Sequence, residues 1–369
     1  MIDAITTKRL FVAATSQNDG KTTCTLGFLD AYRKQARSVG FIKPVGQRYV
    51  LVDGQNIDED SLLIQHVGDM QCSLKDMSPV AIERNFTRQF LDNPEGIGPK
   101  LAHSIEESFA IAARNNDLVV IEGTGHAGVG SVFDLSNACV ARMLHAKVII
   151  VTLGGIGRPV DEVALSHNLF ERENVEVMGV IANKIQPDKL DQTREYLTKA
   201  FARRGLPLLG AIPYAQQLSW PTVEQVAKSI RATVLNARTH LSNKVAGFVV
   251  GAMTAHNVIK IIKNKSLLIV PGDRDDVVLA AATTSLLRHD IELSGIVLTG
   301  GMQLAPQTRE LIMRTHIPLL VVDMPTYEAT AMLHDITVKI LDSDGEKITL
   351  ATEMVRKYVD LERVWALLD

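Results

Sequence analysis

Residues 14–23 read Ala-Thr-Ser-Gln-Asn-Asp-Gly-Lys-Thr-Thr and follow directly on the apolar run Leu10-Phe11-Val12-Ala13. An apolar strand, a short loop and a helix opening on Gly-Lys-Thr make a turn that grips phosphate. Gly20 lets backbone amides curl toward phosphate oxygens, Lys21 offers a point charge to the terminal phosphates, and the Thr22 hydroxyl suits Mg²⁺. The helix that follows aims its positive dipole end at the anion. Asn18, Asp19, Gly20, Lys21, Thr22 and Thr23 are therefore expected to hold ATP, with Thr22 also on the metal. The spacing is irregular, because the usual Gly-x-x-x-x-Gly-Lys places glycine where this chain has Thr15.

The surrounding pattern predicts what carries this turn. Candidate strands at 10–14, 38–42, 118–121, 147–152, 176–182 and 208–212 alternate with helical segments near 22–37, 99–115, 134–145, 159–172 and 189–204. The strands are nearly continuous in Val, Ile and Leu, as they are when helices cover both faces. Such alternation predicts an α/β, doubly wound, mostly parallel sheet with its active groups at the carboxyl ends of the strands. At 369 residues the chain is long enough for two domains. We read a nucleotide-binding domain over 1–213, a helical connector over 214–242 and a smaller α/β domain over 243–369. The last has strands near 267–270, 295–298, 318–322 and 338–340, helices near 276–288, 305–314 and 326–334, and a final helix from about 346 to 367.

Composition narrows the partners. Net charge is −3, and no basic block stands ready to neutralise a run of phosphates, which excludes nucleic acid as the main partner. The three cysteines, Cys24, Cys72 and Cys139, are far apart and show no Cys-x-x-Cys spacing, consistent with a reduced compartment and no structural zinc. The N-terminus lacks the pattern of a cleavable signal, and no apolar stretch reaches membrane-spanning length. A cytoplasmic protein without a membrane partner is expected.

Three further constellations lie where nucleotide chemistry would use them. Lys43-Pro44 closes the second strand, and a lone lysine at a strand end is otherwise an ordinary solvated residue. Asp58-Glu59-Asp60 precedes the apolar run Leu62-Leu63-Ile64; it reads either as a helix cap with first-turn acids or as a source of Mg²⁺ carboxylates. The strand 118–121 ends on Glu122 and then on Gly123-Thr124-Gly125. A carboxylate at the end of a buried strand is costly without a cation, so Glu122 reads as a Walker-B-like metal ligand. Asn183 closes the strand of Val180-Ile181-Ala182, where it is either a turn residue or a reader of the adenine edge. His66, His103, His126, His145 and His167 have no partners at metal-ligand spacing, and no Gly-x-Ser-x-Gly elbow occurs.

Residues 9–213 resemble dethiobiotin synthetase and the cobyrinic-acid amide synthases, a P-loop NTPase group whose phosphate turn is one residue longer than usual. The first glycine of that turn would fall at Ala14, where this chain departs from the pattern. The resemblance implies Lys43 as the substrate-side lysine, catalytic together with Lys21. It further implies Asp60 and Glu122 as the Mg²⁺ carboxylates, Asn183 as the base reader, and Leu208-Leu209-Gly210-Ala211-Ile212-Pro213 as the closing strand. Pro271-Gly272-Asp273-Arg274, Leu298-Thr299-Gly300-Gly301 and Thr326-Tyr327-Glu328-Ala329 resemble a DRTGG domain. There the glycines permit tight turns, and Asp273 with Arg274 forms an ion pair or grips a ligand. The combination looks like part of the long bacterial phosphate acetyltransferases, without the acetyltransferase domain, so acetyl transfer is not expected.

Two readings of function follow. In the first, the chain is an ATP- and Mg²⁺-binding regulator or sensor linked by resemblance to acetyl-phosphate and acetyl-CoA metabolism, with a small-molecule ligand at the DRTGG domain and a homodimeric state. In the second, it is an ATP-dependent ligase acting on a carboxylate or carbamate, with Lys21, Lys43 and Mg²⁺ offsetting charge on the transferred phosphoryl group. A non-catalytic scaffold would bind ATP weakly or not at all.

Overall fold

The computed structural model describes residues 6–35, 37–68, 70–288 and 290–369. The chain forms two compact units, one running through Ala215 and including Ile340–Asp369, the other Gln216–Lys339.

Strands of the first unit are β1 (Lys8–Ala14), β2 (Val39–Ile42), β3 (Val45–Gly46), β4 (Tyr49–Val52), β5 (Gln55–Asp58), β6 (Val80–Ala81), β7 (Leu118–Glu122), β8 (Lys147–Leu153), β9 (Val177–Ile185) and β10 (Leu208–Pro213). Six of them form a parallel sheet in the order β10-β9-β8-β1-β7-β2. Its central strands are buried on both faces: Leu10, Val12, Val119, Ile121 and Ile149 are fully enclosed. This is why they read as unbroken apolar runs. In register, Val12 lies opposite Glu122 and Ala14 opposite Val151, so the ends of β1, β7 and β8 open on one edge. A hairpin, β4 paired antiparallel to β5, stands outside this sheet. It was absent from the sequence reading.

The segment 340–369 differs from expectation. Residues 338–340 form no strand, and the single helix expected over 346–367 is two, Gly345–Tyr358 and Leu361–Leu367. Neither belongs to the second unit. The apolar stripe of Ala351, Met354, Val355 and Val364 is buried in the first unit instead. Helix Gly345–Tyr358 lies on the helix Lys21–Lys34 so closely that a Cβ added at Gly27 would stand 2.2 Å from Val355 Cβ. Asp360 N donates to Leu209 O at 2.8 Å, Tyr32 Oη to Leu361 O at 3.1 Å, and Lys147 Nζ to Leu367 O at 2.9 Å. The guanidinium of Arg37 stacks 3.3 Å from the Trp365 ring centroid. These contacts complete the core on which the Gly-Lys-Thr helix rests.

The second unit has strands β11 (Thr233–Val234), β12 (Gly247–Val250), β13 (Ser266–Pro271), β14 (Leu293–Thr299) and β15 (Leu319–Val321). Their order is β11-β15-β14-β13-β12, parallel except for β11 against β15. Alternation along β13 sends Leu268 and Val270 into one apolar cluster and Leu267 and Ile269 into the other. Residues 216–242, expected as a separate connector, belong to this unit: helix Val223–Ser229, closed by a Thr222/Gln225 capping box, and edge strand β11. Asn236 fastens that edge. Its Nδ2 donates to Ile312 O and Ile317 O at 3.1 Å each, and its Oδ1 accepts from Leu319 N at 2.8 Å. Because Asn236→Ala takes the side-chain partner from Ile317 O and Leu319 N, while Ile312 O still accepts from Thr315, it is expected to cost about 2–3 kcal/mol, read as a lower urea midpoint of the full chain.

Candidate functional site

The loop between β1 and helix Lys21–Lys34 is braced from beneath. Asp19 is buried, and its carboxylate accepts from Thr15 Oγ1 at 2.8 Å and from Ser16 N at 2.6 Å. The side chain of Asp19 therefore shapes the loop. Asn18, exposed, and Gly20 both take positive φ, 66° and 108°. Gly20 caps the helix with no side chain on its first-turn amides, which leaves them for an anion. The φ of Gly20 is one that residues with side chains rarely adopt, and a Cβ there would also crowd Asn183 Nδ2, so the position favours glycine. Asn183 Nδ2 donates to Asp19 O at 2.8 Å, and Lys184 Nζ donates to Asn18 O at 2.7 Å. Asn183 thus ties the end of β9 to the loop with one amide hydrogen, and the same NH₂ group carries a second. Thr23 sits half-buried in the first helical turn.

Burial raises the Asp19 pKa above its ordinary 3.8, against the pull of its bonds from Thr15 and Ser16 and of the Lys21 charge. A carboxyl with a raised pKa takes up its proton first in the folded state. Folding is therefore penalised as pH rises from 3.8 through the folded-state value. Asp19→Asn keeps an acceptor for both bonds and is expected to be more stable than the parent. The margin grows as pH is raised from 3.8 and then levels off. Urea unfolding across that range checks this, and a margin that shrinks with rising pH would mean the carboxylate is stabilising.

Lys21 is buried, its Nζ donating to Gly125 O at 2.9 Å and to Ser16 O at 3.4 Å. Burial pushes its pKa below the ordinary value, with Glu122 working the other way. Thr22 Oγ1 donates to Glu122 Oε1 at 3.0 Å. The same oxygen is 3.2 Å from Lys43 Nζ, which also bonds Asp60 and lies 3.3 Å from Asp58 Oδ1. Burial opposes the charged form of Lys43, but Asp60, Glu122 and Asp58 outweigh it and hold its pKa well above the ordinary value. Lys21, Thr22, Lys43, Asp60 and Glu122, drawn from two strand ends and two helix starts, therefore meet in one place.

Asp58, named in the sequence reading only within the Asp58-Glu59-Asp60 run and given no role of its own, joins this cluster through Lys43. It is buried at the end of β5, and its Oδ1 accepts from Asp60 N at 2.9 Å, so it caps helix Glu59–Gly68 and fixes Asp60 at once. Its usable signal lay in Asp53-Gly54, a hairpin-turn pair that would have placed β5 and its last residue. Also missed was the seat of the 122–130 loop. Asn137 Oδ1 accepts from Thr124 N at 3.0 Å, and Asn137 Nδ2 donates to the carbonyls of Thr124 and His126 at 2.8 Å each. That loop supplies the Gly125 carbonyl on which Lys21 rests.

Hard oxygen donors suit Mg²⁺. Thr22, Asp60 and Glu122 offer such a set, and Glu122 Oε2, buried, has no hydrogen-bond partner among the described residues. An orphaned carboxylate oxygen at that depth fits a cation.

In the second unit the motif residues brace loops. Arg274 does not pair with Asp273: its Nε and Nη2 hold Asp276 Oδ1 and Oδ2 at 2.8 and 3.0 Å, and Nη2 donates to Met253 O at 2.9 Å. The adjacent acid is outcompeted because Asp276, in the first turn of helix Asp275–Leu287, presents both oxygens to the guanidinium fork. Thr299 Oγ1 lies 2.6 Å from Thr326 Oγ1, and the Gly300 and Gly301 amides donate to Met324 O and Val322 O.

Residues 8–222 match the family described as AAA domain, and residues 225–336 match the DRTGG domain. The curated relatives include a phosphate acetyltransferase of Pseudomonas putida, 26% identical over 95% of this chain and 50% of that protein. The Escherichia coli phosphate acetyltransferase is 21% identical over 97% of this chain and 52% of its own length. The chain thus spans about half the length of the curated relatives it matches. Among solved structures, cobyrinic acid a,c-diamide synthase from Mycobacterium smegmatis aligns over 57% of this chain and 88% of that one, at 18% identity and a TM-score of 0.37. Among the described residues no helix is long and apolar enough to cross a membrane.

Proposed function

We propose that this chain, which belongs to the AAA domain family through residues 8–222 and carries a DRTGG domain behind it, binds ATP with Mg²⁺ and serves as a nucleotide-responsive regulator. Its relatives' names point to acetyl-phosphate and acetyl-CoA metabolism as the setting. The observation that carries the reading is the meeting of Lys21, Thr22, Lys43, Asp60 and Glu122 beside an uncapped helix start, with Glu122 Oε2 left unpartnered.

In this reading the first-turn amides and Lys21 receive the phosphates, and Thr22, Asp60 and Glu122 hold Mg²⁺, which supplies charge neutralisation at the terminal phosphates. Asn183 turns its second amide hydrogen to the base. The DRTGG unit carries the ligand response and self-association. A second reading, an ATP-dependent ligase, draws support from the buried ammonium of Lys43 beside that metal set, a charge suited to an anionic co-substrate.

Calorimetric titration with ATP, with and without Mg²⁺, tests the first reading. Binding that requires Mg²⁺ is expected, and no binding would remove both nucleotide readings. Release of inorganic phosphate on adding diaminopelargonic acid and bicarbonate would favour the ligase, whereas ATP binding without such release favours the regulator.

A further inference from the structure

The ammonium of Lys43 occupies a cage of three carboxylates. It bonds Asp60, lies 3.3 Å from Asp58 Oδ1 and 3.2 Å from Glu122 Oε1, and its side chain is almost wholly enclosed. Two of those carboxylates, with Thr22, are the set that suits Mg²⁺. Thr22 donates to the same Glu122 oxygen that Lys43 touches. A divalent ion bound about 2.1 Å from those oxygens and an ammonium at hydrogen-bond distance from them would lie a few ångströms apart in a water-poor site, where the two positive charges repel and so compete for the cage. The backbone of Lys43 is pinned, with its N–H donating to Met77 O at 2.8 Å and Pro44 following. Only the side chain is free to yield.

We infer that Lys43 is the resident cation of this cage, and that Mg²⁺ and the Lys43 ammonium occupy it in alternation. The metal entering with nucleotide turns the lysine out of the carboxylates and frees its charge for an anionic partner at the site mouth. Without metal, the lysine holds Asp58, Asp60 and Glu122 together and keeps stray divalent ions out. This inference rests on the reading of Thr22, Asp60 and Glu122 as the metal set.

Mn²⁺, a hard divalent ion whose free form is counted by its paramagnetic resonance signal, is the probe. It is titrated into the full chain with and without ADP, and into Lys43→Met, Lys43→Arg and the double variant Lys43→Met/Asp60→Asn. Lys43→Met is expected to bind Mn²⁺ at least tenfold more tightly than the parent in the absence of ADP. Lys43→Arg, which keeps a cation in the cage, is expected to match the parent, and adding Asp60→Asn is expected to undo the gain. If Lys43→Met binds no tighter than the parent while the parent still takes up Mn²⁺ with ADP, the inference is overturned and the metal site stands. Should the parent take up no Mn²⁺ even with ADP, and Lys43→Met none either, the metal reading falls and the inference with it. If Lys43→Met does not fold unaided, Mn²⁺ is expected to restore its circular dichroism, the ion replacing the missing ammonium. Failure of that rescue would also overturn the inference.

Discussion

Lys21→Ala is expected to weaken Mg²⁺-dependent ATP binding by about 100-fold in a calorimetric titration. The ammonium is buried, and its bonds run to the carbonyls of Gly125 and Ser16, which do not neutralise it. Burial lowers its pKa, so its charge is short of compensation that phosphate oxygens would supply. A hydrogen bond between charged partners contributes about 1.5–3 kcal/mol, and roughly 2.7 kcal/mol corresponds to the 100-fold loss. The same substitution is expected to leave the melting temperature nearly unchanged, because it removes a desolvated charge along with its two bonds. Unchanged ATP affinity would place the phosphate site elsewhere in the chain.

The largest effect on stability is expected from Gly27→Leu. Gly27 lies in the middle of the helix that begins at Lys21, where Val355 of the C-terminal helix already stands within van der Waals contact of its backbone. Leucine is the better helix former by somewhat under 1 kcal/mol, but its side chain must separate two helices whose backbones are otherwise anchored. Overpacking of that kind costs typically 1–3 kcal/mol, and at about 3 kcal/mol the melting temperature of a domain of this size falls by roughly 6–12 °C. Scanning calorimetry of the full chain measures this. A melt equal to the parent's would mean that the C-terminal helix is held by its other contacts and that its grip on the Gly-Lys-Thr helix is dispensable.

The strand ends were legible because the physics that forms them is local. A run such as Leu118-Val119-Val120-Ile121 can be satisfied only by burial on both faces, so β7 and its terminal Glu122 were readable from sequence. The same holds for β1, β8, β9 and β10, each found within a few residues of its expected place. Lys21 and Thr22 were readable because their spacing from Gly20 fixes them on one helix start. The hairpin β4–β5 was not, since its strands are only four residues each and the second, Gln55-Asn56-Ile57-Asp58, is mostly polar, and the cap that Asp58 sets on Asp60 was missed with it. Arg274 illustrates a different limit. Sequence adjacency suggested Asp273, but the opening turn of the next helix brings Asp276 to the guanidinium with both oxygens.

What the sequence by itself determined was the chemistry offered: an anion-binding turn, one carboxylate at a strand end and another at a helix start, a lysine and an asparagine, on alternating strands and helices. Each of these follows from interactions within a few residues. Only the tertiary structure decided how they are used. It set Asp19 beneath the loop as a brace, turned Asn183 onto the loop backbone, and enclosed Lys43 among three carboxylates. It also returned the last thirty residues to the first unit, where expectation had kept them in the second. Those outcomes depend on which buried groups find a partner far along the chain. An apolar helical stripe or a buried charge states that a partner is needed, but spacing alone does not say which one.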